Sequence, residues 1–141
     1  MNEVVIKEYK DQHLEAVRSI ILSQDFDCSS TLPPIGFIAC VKDIVVGYIG
    51  AHLTYGTNAF VDIVSVTEPA QRFGIGILLM KVMTEKLLSL GVTDVEAIVS
   101  EESTKAISIF DHLGFTFRKV YHIEGNLPCL KIKLEKITTS S

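Results

Sequence analysis

Gln71, Gly74 and Gly76, in the stretch QRFGIG, stand between a β-branched apolar run and a long helical pattern, a placement suited to holding phosphate. The first four N–H groups of a helix lack intrahelical partners, and the helix dipole favours negative charge at that end. Glycine at positions 74 and 76 removes side chains that would keep a pyrophosphate from those amides; Gln71 can add a donor and Arg72 a positive charge. The plainer alternative is a glycine-rich turn that only lets a strand become a helix. Two nucleotide readings fall at once. Leu79 stands where a dinucleotide fingerprint needs its third glycine, and no Gly-Lys-Ser or Gly-Lys-Thr follows for a P-loop.

Other chemically active side chains are sparse. Asp62 lies in the apolar run before the glycine motif, and Glu68 precedes Pro69 in the intervening turn. His52 and Tyr55, near the end of an earlier strand pattern, can line an acceptor cleft or serve structure alone. His13 and His122 show no metal-ligand spacing, and Cys28, Cys40 and Cys129 are odd in number and widely spaced. Neither a metal nor a disulfide framework is expected; the thiols are expected to be reduced, with Cys40 buried in a strand.

The elements that must position these residues follow from periodicity. A short β-like start at 4–6 leads to a helix that Asp11 can cap, with Leu14, Val17 and Ile21 on one face. Residues 24–34 read as a loop ending in two prolines. The runs 37–41 and 44–53 flank Lys42 and Asp43 as a tight hairpin, and a second turn at 56–58 leads into 60–66. Leu79, Met83, Leu87 and Leu90 fall at spacings of four, four and three, the strongest helical stripe in the chain, with Gly91 suited to its C-terminal cap. Residues 95–99 can then return beside 60–66 as a parallel strand through a βαβ crossover. Ser103 or Thr104 can cap a further helix carrying Ala106, Ile107, Phe110 and Leu113 and stopping at Gly114, followed by a hairpin from 115–123 and 129–134. The fold class is α/β, in the sense of an α+β mixed sheet flanked by helices.

With 141 residues, 48% of them hydrophobic, the chain is expected to close one domain over residues 1–141. A net charge of −4 with interspersed signs provides no footprint for nucleic acid. No apolar run approaches the roughly 20 residues that cross a bilayer, and the N-terminus does not read as a leader, so a soluble, cytoplasmic protein without membrane contact is expected.

The order of elements and the segment VTEPAQRFGIGILLMKVM resemble the Gcn5-related N-acetyltransferase (GNAT) family. Its signature is Gln or Arg, two residues, Gly, one residue, then Gly or Ala, filled here by Gln71, Gly74 and Gly76. AISIFDHLGF is similar to the family's later helix and Gly-Phe ending, with Leu113, Gly114 and Phe115 in register. The resemblance covers nearly the whole chain, the N-terminal third by pattern only. It implies an acetyl-CoA-dependent N-acetyltransferase in which a primary amine attacks the thioester directly in a ternary complex. Ile63, Val64, Ser65 and Val66 would pair with the pantetheine where the fourth strand splays from the fifth. Arg72, Phe73, Gly74, Ile75, Gly76 and Ile77, with Gln71, would hold the pyrophosphate. A backbone N–H near Val66 is the expected oxyanion donor, and Asp62, then Glu68, are the candidate bases, directly or through water.

Two positions depart from the family's pattern. Phe110 stands where many members have the Tyr that protonates the departing thiolate, and Ser103 stands where many have an Asn near the pantetheine. The thiolate would then leave unassisted, with water, or with Tyr121 or His112 substituting. The rival reading is a non-catalytic acyl-CoA-binding sensor or interaction module, for which Phe110 would mark lost chemistry. The acceptor is a small-molecule or protein amine, and the last hairpin offers an edge for a homodimer, the assembly common in the family.

Overall fold

Lys42 and Asp43 both take left-handed backbone, with φ of 52° and 64°, the turn whose twist matches that of two paired strands. In the computed structural model this turn joins β2 (Ile35–Val41) to β3 (Ile44–Leu53), as the tight-hairpin reading expects. The structure describes residues 3–23, 32–100, 108, 111–112, 114, 116–124 and 127–137, with backbone alone at 23, 71–73, 98–100, 116–124 and 127–137.

The hairpin belongs to a seven-stranded sheet of order β1-β2-β3-β4-β5-β7-β6. Its other strands are β1 (Val4–Glu8), β4 (Asn58–Val66), β5 (Asp94–Ser100), β6 (Thr116–Glu124) and β7 (Leu127–Ile137). Every neighbouring pair is antiparallel except β4 with β5, so the sheet is mixed. The last hairpin folds back so that β7, not β6, lies against β5.

Helix α1 (Leu14–Ser23) is entered through a 3-10 turn at Asp11–His13. Asp11 therefore sits inside that turn and is not the helix cap; the backbone N–H of Lys10 donates instead to Nδ1 of His13 at 3.0 Å. Val17 and Ile21 of α1 pack with Ile38, Cys40 and Tyr48 on one face of the sheet. On the other face, Ile75, Leu79, Met80, Met83 and Leu87 of α2 (Ile75–Ser89) pack on Phe37, Ala39, Ile49, Ala51, Ala59 and Val61.

The stripe along α2 is buried through Leu87, but Leu90 is 47% exposed because the helix has ended. Gly91 takes φ 87°, its N–H donates to the Leu88 carbonyl at 3.0 Å, and the Val92 N–H donates to that of Leu87 at 3.0 Å. This is a Schellman closure, and it hands the buried place to Val92.

Candidate functional site

The parallel pairing of β4 with β5 runs only from Asn58↔Asp94 to Val61↔Ala97. Past that point, among the described residues, β5 is paired with β7 alone and Ile63–Val66 of β4 with β3 alone. The expected strand 95–99 does return in parallel, and of 60–66 it pairs with Phe60 and Val61. The register supplies a local reason. Gly50 pairs with Ile63 and Ala51 with Val61, so Asp62 is an extra residue with no partner on β3, a β-bulge that sharpens local twist.

The Thr67 N–H donates to the Val46 carbonyl at 2.8 Å, which sets the hydrogen-bonding phase of this ladder. In an antiparallel pair such residues alternate with ones whose backbone groups point the other way. Ile63 and Ser65 thus face β3 with their backbones, and those of Val64 and Val66 are directed to the side from which β5 has departed. Side chains alternate too: Val64 and Val66 pack with the α2 core, whereas Ile63 packs with the α1 core.

Helix α2 starts next to this opening. A Cβ added to Gly47, the β3 partner of Val66, would lie 3.2 Å from Leu79 Cδ1 and 3.3 Å from Ile75 Cγ2. Glycine here lets the first turn of α2 press on the sheet. The glycine motif itself is not a simple strand-to-helix turn, since Glu68–Phe73 form a 3-10 segment before Gly74 takes φ 69° and α2 begins at Ile75. Leu78 N–H to Gly74 carbonyl, at 3.1 Å, is the first bond of the helical ladder, so the N–H groups of Ile75, Gly76 and Ile77 precede it. Among the described residues nothing lies within 4 Å of a Cβ built on Gly74, so they leave the space over it open, while Gly76 is buried in the first turn. The Gln71, Arg72 and Phe73 backbones lie in the 3-10 segment. Ser103 and Phe110 lie outside the described residues; Tyr121 is described in its β6 backbone alone.

Of the candidate bases, Asp62 is brought to a partner: its Oδ2 lies 2.8 Å from Nδ1 of His52, across the β3–β4 pair. Both are partly exposed, at 30% and 40%. Glu68 is exposed at the start of the 3-10 segment. Tyr55 is 80% exposed beyond the end of β3, and His112 is exposed in helical backbone. Ser65 is 3% exposed, and its buried Oγ has no hydrogen-bond partner among the described residues, an unusual state for a hydroxyl. Cys40 is buried in β2; burial pushes its thiol up, against a lowering by Lys7 and with a lesser rise from Asp43, which makes it a poor nucleophile. Among the described residues no three His, Cys, Asp or Glu side chains come together as a metal site.

Sequence reasoning missed Gly47, the bulge at Asp62 and the His52 partner. A signal for the first two was present, since isolated glycines such as Gly47 and Gly50 within a strand pattern mark bulges or close approaches.

A mixed sheet whose single parallel pair parts beside the glycine-led start of a helix defines the acyl-CoA N-acyltransferase class of fold. The chain belongs to the acetyltransferase (GNAT) family, whose model matches residues 3–115. No curated protein matches it. Among solved structures it is similar to Ard1 from Thermoplasma volcanium, with TM-score 0.85 and 18% identity over 97% of this chain and 99% of that one. The ribosomal-protein-S18-alanine N-acetyltransferase from Escherichia coli gives TM-score 0.81 and 18% identity over 99% and 97% of the two chains. A chain of the NatC complex bound to Gag peptide and CoA gives 0.79 and 15% over 97% and 99%.

Proposed function

We propose that the chain transfers an acetyl group from acetyl-CoA to a primary amine by direct attack within a ternary complex. The observation that carries this reading is the parting of β4 from β5 after Val61, next to the N-terminal turn of α2. A donor seated there would find backbone groups of the Ile63–Val66 stretch for its pantetheine and the amides of residues 72–77 for its pyrophosphate. The open space over Gly74 and the unpartnered Ser65 hydroxyl suit such an occupant. The CoA held by the NatC neighbour and the alanine acceptor of the S18 acetyltransferase support the same chemistry here.

The chain's own part in catalysis is to place the amine, take its proton and polarise the thioester carbonyl through a backbone N–H near Val66. Asp62, with Glu68 second, is the carboxylate assigned to the proton. With Phe110 in place of the family's Tyr, the thiolate leaves without a phenolic acid, as the acidity of a thiol allows.

Thermal stabilisation by CoA and acetyl-CoA tests the reading. At 100 times its dissociation constant either ligand adds about 2.7 kcal/mol, and replacing Gly74 and Gly76 together by alanine abolishes the shift in a protein that still melts cooperatively. A natural protein that neither ligand stabilises would overturn the assignment. Thiol release that depends on an added amine separates the enzyme from a binding module.

A further inference from the structure

The α1 face of the sheet carries an arrangement of which the proposed function uses only Asp62. Along β3, Tyr48 packs into the α1-side core, so Gly50 and His52, two and four residues on, share that face. Phe60, the β4 partner of His52, lies beside it with ring centroids 5.8 Å apart. A regular strand would then place Ile63 with Val61 in the α2-side core, but Ile63 packs on the α1 side and Val64 with the α2 core. The inserted Asp62 makes that change of phase. Its carboxylate reaches His52 Nδ1 at 2.8 Å, and it is the first residue past the last β4–β5 pair. The pair therefore stands where the sheet opens.

We infer that the proton of the acceptor amine goes to His52 and not directly to the Asp62 carboxylate, so that Asp62 becomes the positioning residue of a two-residue base; this rests on the transferase reading above. Facing a carboxylate, Nδ1 carries the imidazole hydrogen and Nε2 keeps its lone pair. Among the described residues Nε2 has no hydrogen-bond partner. The side chain is 40% exposed and so is open to solvent. An imidazole also suits proton transfer near neutral pH better than a carboxylate does. In the step, the amine nitrogen bonds to the acetyl carbon and the carbon–sulfur bond breaks, its electron pair leaving with the thiolate. The nitrogen's proton passes to Nε2, and the resulting imidazolium, beside Asp62, returns it through solvent to the thiolate. Products are the N-acetyl amine, CoA thiol and neutral His52.

Two measurements test this together. Long-range nitrogen-15 NMR of the neutral His52 ring reads the tautomer in the natural protein and in Asp62→Ala. Thiol release from acetyl-CoA, with n-butylamine and with a short peptide bearing an N-terminal alanine, is followed across pH in the natural protein, Asp62→Ala and His52→Gln. The expected result is hydrogen on Nδ1 in the natural protein and on Nε2 in Asp62→Ala. His52→Gln lowers kcat at least tenfold, flattens the pH profile, and leaves the acetyl-CoA KM and the thermal shift by CoA unchanged. A natural protein with hydrogen on Nε2 overturns the proposal, as does His52→Gln turning over normally while Asp62→Ala does not. Normal turnover in His52→Gln with CoA stabilisation retained removes the relay alone. A natural protein that CoA does not stabilise, or that acetylates neither probe, removes the transferase reading and the relay with it.

Discussion

The two halves of β4 belong to one strand yet are held differently. Over Ala59–Val61 the strand is paired on both edges, and Ala59 and Val61 are buried in the α2-side core. Past Val61 its strand pairing among the described residues is with β3 alone; there it admits a bulge and carries a partly exposed carboxylate and a buried hydroxyl with no partner among those residues. A sheet can place a polar, half-open segment beside a core when one edge of a central strand is released while the other stays fixed. The difference teaches that stability and chemistry are divided at a single residue step, between Val61 and Asp62.

The sharpest way to break that comparison is to exchange characters across the step. Val61 is 4% exposed, so Val61→Asp buries a carboxylate without a partner and is expected to cost about 3–5 kcal/mol. Asp62→Ala removes only a partly exposed cross-strand pair and is expected to cost under about 1 kcal/mol. Denaturant titration of both variants checks this. Similar costs at the two positions would mean that the strand is not divided there.

A smaller effect examines the edge that the second half retains. A Cβ on Gly50, opposite Ile63, would lie 2.5 Å from Tyr48 Oη and 2.8 Å from Pro33 Cγ. Tyr48 is fully buried, so Gly50→Ala overpacks the α1 face and is expected to cost about 1–3 kcal/mol. Gly56, with φ 62° and open space for a Cβ, is the control: alanine there costs about 1 kcal/mol, through the backbone alone. If Gly50→Ala costs no more than Gly56→Ala, the β3 side of the opening is loose and the half-released strand has no fixed edge.

The sheet and α2 were legible because their information is local. Apolar, β-branched runs between turns marked β2, β3 and β4, and the four-residue spacing of Leu79, Met83 and Leu87 marked the buried face of α2. The glycine motif was legible as the start of that helix, though not the 3-10 segment before it, which Thr67 and Pro69 introduce without a periodic signal. The bulge was hidden because the pattern through Val61, Asp62 and Ile63 reads as plain alternation; only the partner strand shows that Asp62 is extra. For the same reason the meeting of His52 with Asp62, ten residues apart, depends on register and not on spacing.

The smallest expected effect bears on Ser65, opposite Tyr48 in the second half of β4. A buried hydroxyl without a partner carries a desolvation cost that no bond offsets. Ser65→Ala should therefore leave the ligand-free protein unchanged or stabilise it by up to about 1 kcal/mol. If the hydroxyl is retained for a bound acyl donor, the variant gains less from saturating CoA than the natural protein does, so the order of their melting temperatures narrows or inverts when ligand is added. Calorimetry with and without CoA reads both quantities. A clear loss of stability in the ligand-free variant would show that Ser65 is satisfied within the protein, and that the released half of β4 is built for packing alone.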